Sequence, residues 1–177
     1  MKLERRDYLD SIRRLKELGL LGPDESPILA VRIPQPEDEG PLGVCFYRTF
    51  LSDGADLSNL TLPRTFFGRS EIRDASFRNT DLTESNLRWN DFIDVDFTEA
   101  ILTRADLRAS QYTRVNFACA DLRGADLRRS DFEDCVFDGA LMEGALLARN
   151  QGSRLSLSAA QKTAIAWGDD GPQPSGG

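Results

Sequence analysis

Large apolar residues recur at every fifth position from Ala55 to Arg149, without interruption. In nearly every unit a small residue stands two positions before the large one, and aspartate is the commonest residue between the two. A period of five matches neither an α-helix, with about 3.6 residues per turn, nor a β-strand, with about 2. The pattern therefore predicts a repeat architecture. The large positions are Leu57, Leu62, Phe67, Ile72, Phe77, Leu82, Leu87, Phe92, Phe97, Leu102, Leu107, Tyr112, Phe117, Leu122, Leu127, Phe132, Phe137, Met142 and Leu147.

This register resembles that of the pentapeptide-repeat family, and the resemblance covers 19 consecutive units without a skipped one. Membership implies an all-β solenoid, the right-handed quadrilateral β-helix. In that fold four units form the four sides of one square coil, and the coils stack through parallel β-bridges. Nineteen units imply nearly five coils, and a spacing of about 4.8 Å between parallel strands gives a rod of roughly 23 Å.

A second period, of twenty residues, supports a coil of four units. We number the sides by their first units, which are 55–59, 60–64, 65–69 and 70–74. The large residues of the first and fourth sides are mostly aromatic, and those of the second and third sides are mostly leucine. These stacks predict a solid, dry interior without a channel or ligand cavity. Only the fourth side has a fully polar set at the small position, which predicts a hydrogen-bonded ladder of Ser70, Asn90, Ser110, Ser130 and Asn150.

The segment before the repeat, residues 1–54, is predicted to cap its first coil. Within it, residues 4–18 form a predicted amphipathic helix, with Tyr8, Leu9, Ile12, Leu15 and Leu18 on one face. Residues 28–33 and 44–51 are predicted to be strands, and residues 35–41 are predicted to be an exposed loop. The strand at 44–51 is apolar on both faces, which predicts that both faces are buried. An open coil end must be covered, because unpaired edges recruit other chains. A recognition module is the alternative interpretation of this segment.

The repeat is predicted to occupy residues 55–157, with Leu155 and Leu157 starting a partial last side. Ser158 and Gln161 form a capping-box pattern, which predicts a C-terminal capping helix over 158–167. Residues 168–177, rich in glycine, proline and aspartate, are predicted to be disordered.

Composition excludes several functions. The formal net charge of −7 argues against direct binding of nucleic acid. The chain has no histidine, the commonest general base and metal ligand, and we predict no catalytic site, cofactor or metal.

Its three cysteines lack metal-type spacing and are predicted to be reduced and buried. The repeated aspartates are expected to be solvated or to accept backbone hydrogen bonds at corners. No apolar run fits a leader or a membrane span, which predicts a soluble cytoplasmic protein.

Charge is distributed unevenly around the coil. Six arginines oppose two aspartates on the third side, a net +4, whereas seven acidic residues oppose two arginines on the fourth, a net −5. Trp89 and Ile93 are predicted to point outward near that boundary, where exposed aromatic residues beside arginine are typical of interfaces. The alternative is that Arg–Asp pairs across the corner screen the two strips. The candidate partner-binding residues are Arg88, Trp89, Arg108, Arg128, Arg129, Asp91, Ile93, Asp94, Asp131, Glu133 and Asp134.

The sequence favours a non-enzymatic protein-binding scaffold that presents these strips to an unidentified protein, and neutralisation or inhibition of that protein is one role open to such a scaffold. Membrane binding is not expected, and the chain is predicted to be a monomer or an end-to-end homodimer. The alternative comes from the resemblance, since some pentapeptide-repeat proteins mimic duplex DNA, bind DNA gyrase and protect it from quinolones. Against that alternative, the rod matches only about seven base pairs, the third side is basic, and the N-terminal segment departs from those nearly all-repeat proteins. An enzyme is the third class considered.

Overall fold

A right-handed quadrilateral β-helix of about six turns forms the body of the chain. The computed structural model describes residues 4–21 and 44–168. The predicted strand at 28–33, the loop at 35–41 and all of the predicted tail except Gly168 lie outside the described residues. Helices α1, α2 and α3 span Tyr8–Glu17, Arg149–Gly152 and Ala159–Ala164. No helix within the described ranges has the length and apolar content to cross a bilayer.

The described part of the chain contains nine short strands, which lie on two sides of the coil and all pair in parallel. A five-stranded sheet, in the order β2-β4-β5-β6-β7, forms the fourth side, and the pairs β1-β3 and β8-β9 belong to the third. Elsewhere, single parallel bridges join residues 20 apart, such as Asp56 with Ser76. The strands are β1 Cys45–Tyr47, β2 Phe50–Leu51, β3 Phe66–Gly68, β4 Glu71–Arg73, β5 Asp91–Ile93, β6 Gln111–Thr113, β7 Asp131–Glu133, β8 Leu146–Ala148 and β9 Ala166–Gly168.

Each corner of the coil is made by one residue with a left-handed backbone, two positions after the large residue. From Asn59 to Gly144 the φ values at these corners lie between 50° and 69°. Such a conformation costs an L-residue roughly 1–2 kcal/mol. The corner amides recover part of that cost by bonding to the next coil, as when Glu84 N–H donates to Thr103 O at 2.9 Å. The fold therefore depends on stacking between coils.

The interior confirms the predicted aromatic stacks. On the first side, Phe77, Phe97, Phe117 and Phe137 stack with ring centroids 5.1, 5.4 and 5.0 Å apart. On the fourth side, Phe92, Tyr112 and Phe132 stack at 5.1 and 5.0 Å. Rings of the two stacks meet edge to face at 5.6 to 5.7 Å, a geometry that favours aromatic pairs beyond the area they bury.

The polar ladder on the fourth side is confirmed from Ser70 to Ser130. Ser70 N–H donates to Asn90 Oδ1 at 2.8 Å, and Asn90 N–H and Ser110 N–H donate to the next hydroxyl, each at 3.1 Å. The same side chains donate to backbone carbonyls, so that Ser110 Oγ reaches Leu87 O at 3.0 Å. The prediction of Asn150 as the next rung is wrong, because Asn150 lies exposed in α2.

The coil begins earlier than the predicted boundary at residue 55. Residues 44–51, predicted as one strand buried on both faces, form two sides of a preceding coil, with the corner at Arg48. Phe50 is 61% exposed, which contradicts the predicted burial. Partners here are 21 residues apart, as in Phe46 with Phe67, because the corner that contains Asp53 and Gly54 holds one extra residue. That insertion breaks the register in the sequence.

Helix α1 covers the N-terminal end of the coil, over its first and second sides. Ile12 and Leu15 are buried in the core, and Ser11 Oγ accepts a hydrogen bond from Thr61 N–H at 2.8 Å. Arg5 Nε donates to Asn79 O at 2.8 Å. Leu9, predicted on the buried face, is 73% exposed. The helix thus satisfies polar groups of the coil as well as covering its apolar end.

Two glutamines terminate the stack. Gln161 Nε2 donates to Phe137 O at 2.7 Å and Ala140 O at 3.1 Å, while its Oε1 accepts from Ser158 N–H. Gln151 does the same ten residues earlier, donating to Leu127 O and Ser130 O at 3.0 and 2.6 Å. The predicted capping box is confirmed, and Leu155 and Leu157 are buried.

The predicted helix over 158–167 is too long. It ends at Ala164, and Ala166–Gly168 returns as β9, with Trp167 opposite Leu147. The Trp167 ring packs on Gly152, where an added Cβ would lie 2.2 Å from it. The pentapeptide register therefore resumes at Trp167 after a helical interruption.

Replacing Ser110 with alanine should lower the free energy of unfolding by about 2 kcal/mol, because it leaves Asn90 N–H and Leu87 O buried without a partner. Thr113→Ala, on the outer face of the adjoining strand β6, is the control and should lose less than half as much. Denaturant unfolding followed by circular dichroism measures both variants, and equal losses would contradict the ladder's role.

Gln161→Met should destabilise the C-terminal end by about 1–2 kcal/mol, since the methionine fills a similar volume but leaves two carbonyls uncapped. The measurement is denaturant unfolding followed by Trp167 fluorescence in a Trp89→Phe background. The neighbouring exposed change Lys162→Met is the control. A midpoint that shifts equally in both variants would mean that the amide does not cap the coil.

Candidate functional site

The arginines of the third side lie in a ladder with its aspartates. Arg108 Nε and Nη2 donate to the two carboxylate oxygens of Asp106 at 2.8 and 2.7 Å, and Arg128 pairs with Asp126 in the same way at 2.9 and 2.7 Å. Longer ion pairs join Arg88 to Asp106 at 3.7 Å and Arg108 to Asp126 at 3.5 Å. The two aspartates of the third side therefore pair with three of its six arginines, and the predicted basic strip stays net positive.

The acidic fourth side is only partly neutralised. Asp94 accepts two hydrogen bonds from Arg114, both at 2.6 Å, which hold its pKa below the ordinary value, and Glu71 pairs with Arg73. Asp91, Asp131 and Glu133 are exposed, and within the described ranges none of them forms an ion pair. The pairs run along each side, not across the corner as the screening alternative expected. Free negative charge thus remains on this side.

Trp89 occupies the corner between these two sides. Its backbone is left-handed, with φ of 57°, and its side chain is 53% exposed. The guanidinium of Arg88 lies 4.7 Å from the ring centroid and that of Arg69 lies 5.9 Å from it, both in the range of cation–π contact. Arg88 Nε is buried and has no hydrogen-bond partner among the described residues. The indole is held between two cations while its outer surface stays exposed.

The predicted site residues lie on two adjoining sides and their common corner. Arg88, Trp89, Asp91 and Ile93 form one group, because β5 follows directly from the Trp89 corner. Two coils further along lie Arg129, Asp131, Glu133 and Asp134, all exposed. Arg108, Arg128 and Asp94 are held in the ion pairs above.

Sequence reasoning missed Phe50, which lies exposed on the fourth side. It is two coils from Asp91 in the same sheet, or about 10 Å. Its position is hidden in the sequence by the 21-residue spacing at the start of the coil.

The repeated aspartates act at corners, as predicted. Asp96 Oδ1 accepts from Thr98 N–H at 2.9 Å, and Asp106, Asp121 and Asp126 accept similarly from the residue two positions on, each at 3.2 Å. Burial alone would raise the pKa of Asp126, but hydrogen bonds from Arg128 outweigh it and hold the pKa below the ordinary value. These four aspartates are thus structural.

One cysteine prediction fails. Cys119, predicted to be buried, is exposed at a corner with φ of 56°, so its side chain points away from the stack. Cys135 is half-buried, and burial raises the pKa of its thiol to about 11. Among the described residues, no group of acidic residues and cysteines is arranged to hold a metal ion.

The repeat pattern settles the family. Pentapeptide repeats match in eight copies, over residues 53–88, 91–129 and 116–149, which together make up more than half of the chain. The chain belongs to the pentapeptide repeat family. No curated protein matches it.

Several solved structures of this family are similar to the chain. One is a pentapeptide repeat protein from the thylakoid lumen of Arabidopsis thaliana, at 28% identity, covering 65% of this chain and 72% of that one, with a TM-score of 0.38. Another is HetL from the cyanobacterium Nostoc, involved in the regulation of heterocyst differentiation, at 20% identity, 59% and 60% coverage and a TM-score of 0.26. A plasmid-mediated fluoroquinolone resistance protein matches at 18% identity, 58% and 62% coverage and a TM-score of 0.29. At these TM-scores the likenesses carry no argument about a partner.

Acid should destabilise the coil, because the carboxylates of Asp96, Asp121 and Asp126 have pKa values lowered in the folded chain. Their stabilisation is complete above the unfolded value of about 3.9 and is lost as the pH falls through the folded values. Asp126→Asn should therefore cost on the order of 1 kcal/mol at pH 7 and much less near pH 2.

Denaturant midpoints measured from pH 7 to pH 2 test this prediction. Asp138→Asn, at an exposed position on the first side, is the control for the loss of one carboxylate. An Asp126→Asn chain with the same pH dependence as wild type would contradict the assigned role.

Proposed function

We propose that the protein is a non-enzymatic binding scaffold whose rigid coil presents the corner at Trp89 to a protein partner. The observation that carries the proposal is the indole of Trp89, exposed between two arginine guanidinium groups. Tryptophan and arginine are the residues most enriched among those that dominate binding energy at interfaces. A cytoplasmic location, as a monomer or end-to-end homodimer, is part of the proposal.

Stability does not account for Trp89. Equivalent corners are made by Ala109 and Gly124, so a small residue suffices there. Every corner from Asn59 to Gly144 shares this positive φ, and a bulky aromatic residue is unusual in that conformation. The exposed ring also leaves apolar surface in water. A partner that covers the ring would recover this apolar area.

The surface around Trp89 has mixed chemistry suited to a protein. Arg88 supplies a cation, Asp91 an exposed carboxylate and Ile93 a half-buried apolar group, all within one corner and one strand. Phe50 adds a second exposed ring two coils away. The net charge of −7 disfavours a nucleic acid or an anionic membrane as the partner.

Arg108 and Arg128 have a supporting role in this proposal. Their bidentate pairs with Asp106 and Asp126 hold these two arginine side chains in place on the third side, which adjoins the Trp89 corner. A fixed grid of side chains reduces the conformational freedom lost on association. The coil's contribution is therefore preorganisation.

Binding of DNA gyrase remains the alternative. The arrangement of charge gives it little support, because Gln111 and Thr113 interrupt the acidic side and Arg114 neutralises Asp94. A gyrase supercoiling assay over a titration of the protein tests it. Inhibition of supercoiling, or protection from quinolone-induced cleavage, would favour this alternative over the proposal.

Trp89→Ala should weaken partner binding at least tenfold, because truncation removes the central aromatic contact and leaves its two arginines without the ring. The partner is first captured from native extract with the wild-type chain and identified by mass spectrometry, and Kd is then measured by titration calorimetry. Leu141→Ala, which removes a 45% exposed side chain from another side, is the matched control and should change Kd less than twofold. Equal effects of the two changes, or none for Trp89→Ala, would contradict the proposed surface.

A further inference from the structure

Within the described ranges, the five-stranded sheet of the fourth side ends at β7, and no strand covers the outer edge of β7. Where a further strand would continue the stack, 20 residues after β7, the chain instead forms the end of α2 and the turn that follows it. A cavity of about 330 Å³ lies between the two, lined by β7 and by Gln151, Arg154 and Leu155. The cavity therefore lies where the next strand of the sheet is missing.

Only some of the backbone N–H and C=O groups of β7 form hydrogen bonds with β6. Asp131 N–H donates to Ser110 O at 3.1 Å, and Glu133 O accepts from Arg114 N–H at 2.8 Å, so residues 131 and 133 face β6. In a parallel strand the residue between them directs its N–H and C=O to the opposite edge. That residue is Phe132, and neither of its backbone groups has a partner among the described residues. Ser130 O, also on that edge, is capped by Gln151.

We propose that this edge binds an extended segment of a partner protein with the pattern basic–apolar–basic, added as a sixth parallel strand. Such strand addition uses main-chain hydrogen bonds for affinity and alternate side chains for specificity. The site is two coils away from Trp89 and stands independently of the proposed function.

Register determines the pattern. Stacked strands place like positions above one another, so the middle residue of the segment would lie over Phe132. The Phe132 ring stacks on Tyr112 on one side and is half-buried, because no ring stacks on its other side. Leu155, a buried residue in the cavity wall, adds to that apolar position. The two flanking residues would lie outward over Asp131 and Glu133, both exposed and unpaired within the described ranges. Arg129 and Arg154, in the same lining, disfavour a longer basic run.

Charge argues against two other occupants. A second copy pairing through its own β7 would bring Asp131 and Glu133 against the same residues, and like charges directly opposite destabilise a sheet. Residues 169–177 of this chain contain two aspartates and no basic residue, so they lack the pattern. A basic–apolar–basic segment of another protein complements the edge.

The probe is an eight-residue fluorescent peptide with Lys-Val-Lys at its centre and serine and glycine on either side, titrated into the full chain by fluorescence anisotropy. Asp131→Lys should weaken binding at least tenfold. Asp138→Lys makes the same change of charge at an exposed position on the first side, away from this edge, and should alter binding less than twofold. A Glu-Val-Glu peptide should bind the Asp131→Lys, Glu133→Lys double variant more tightly than it binds wild type.

Methylated peptides test the strand geometry on the unmodified protein. In the parallel register the second lysine donates its backbone N–H to Phe132 O, so N-methylation there should abolish binding. N-methylation of the valine removes an N–H that points away from the edge and should have little effect. Equal losses from both methylations, absence of binding by the Lys-Val-Lys peptide, or a dimer of the chain that Asp131→Lys dissociates would overturn the proposal.

Discussion

Stacking of the coils in strict register is the constraint on which the rest of the structure depends. Each corner is strained, with a left-handed residue from Asn59 to Gly144, and the strain is offset only by bonds and contacts to the neighbouring coils. Register in turn brings like residues together, which produces the ring stacks and the serine–asparagine ladder. A stack of this kind has no internal reason to stop, so its ends need separate solutions.

The ends are closed with polar groups as much as with apolar cover. At the N-terminal end, Ser11 Oγ accepts a hydrogen bond from a backbone N–H of the coil. At the C-terminal end, the side-chain amides of Gln151 and Gln161 donate hydrogen bonds to backbone carbonyls. Three of the four sides of the last coil are covered, one by β9, one by α3 and one by the buried Leu155 and Leu157. Within the described residues, the fourth side ends in an uncovered strand, β7, beneath a cavity. The exposed carboxylates of Asp131 and Glu133, which form no ion pair there, lie on this strand.

The sequence predicted the interior well because buried positions follow a fixed period. The Phe77 and Phe92 stacks and the Ser110 rung follow from spacing alone. It failed where the period breaks, since one extra residue at the corner of Asp53 and Gly54 hid the coil at Phe50. It also misjudged the surface, because a net charge for each side does not reveal that Arg108 folds back on Asp106. Trp89 was found because a large aromatic residue is out of place at a corner.

Hydrogen–deuterium exchange on the full chain, alone and bound to its captured protein partner, tests the central claim most directly. The account predicts added protection on binding at residues 88–93, around the Trp89 corner, with the first and second sides unchanged. Protection confined to the first and second sides, with residues 88–93 unaffected, would contradict it.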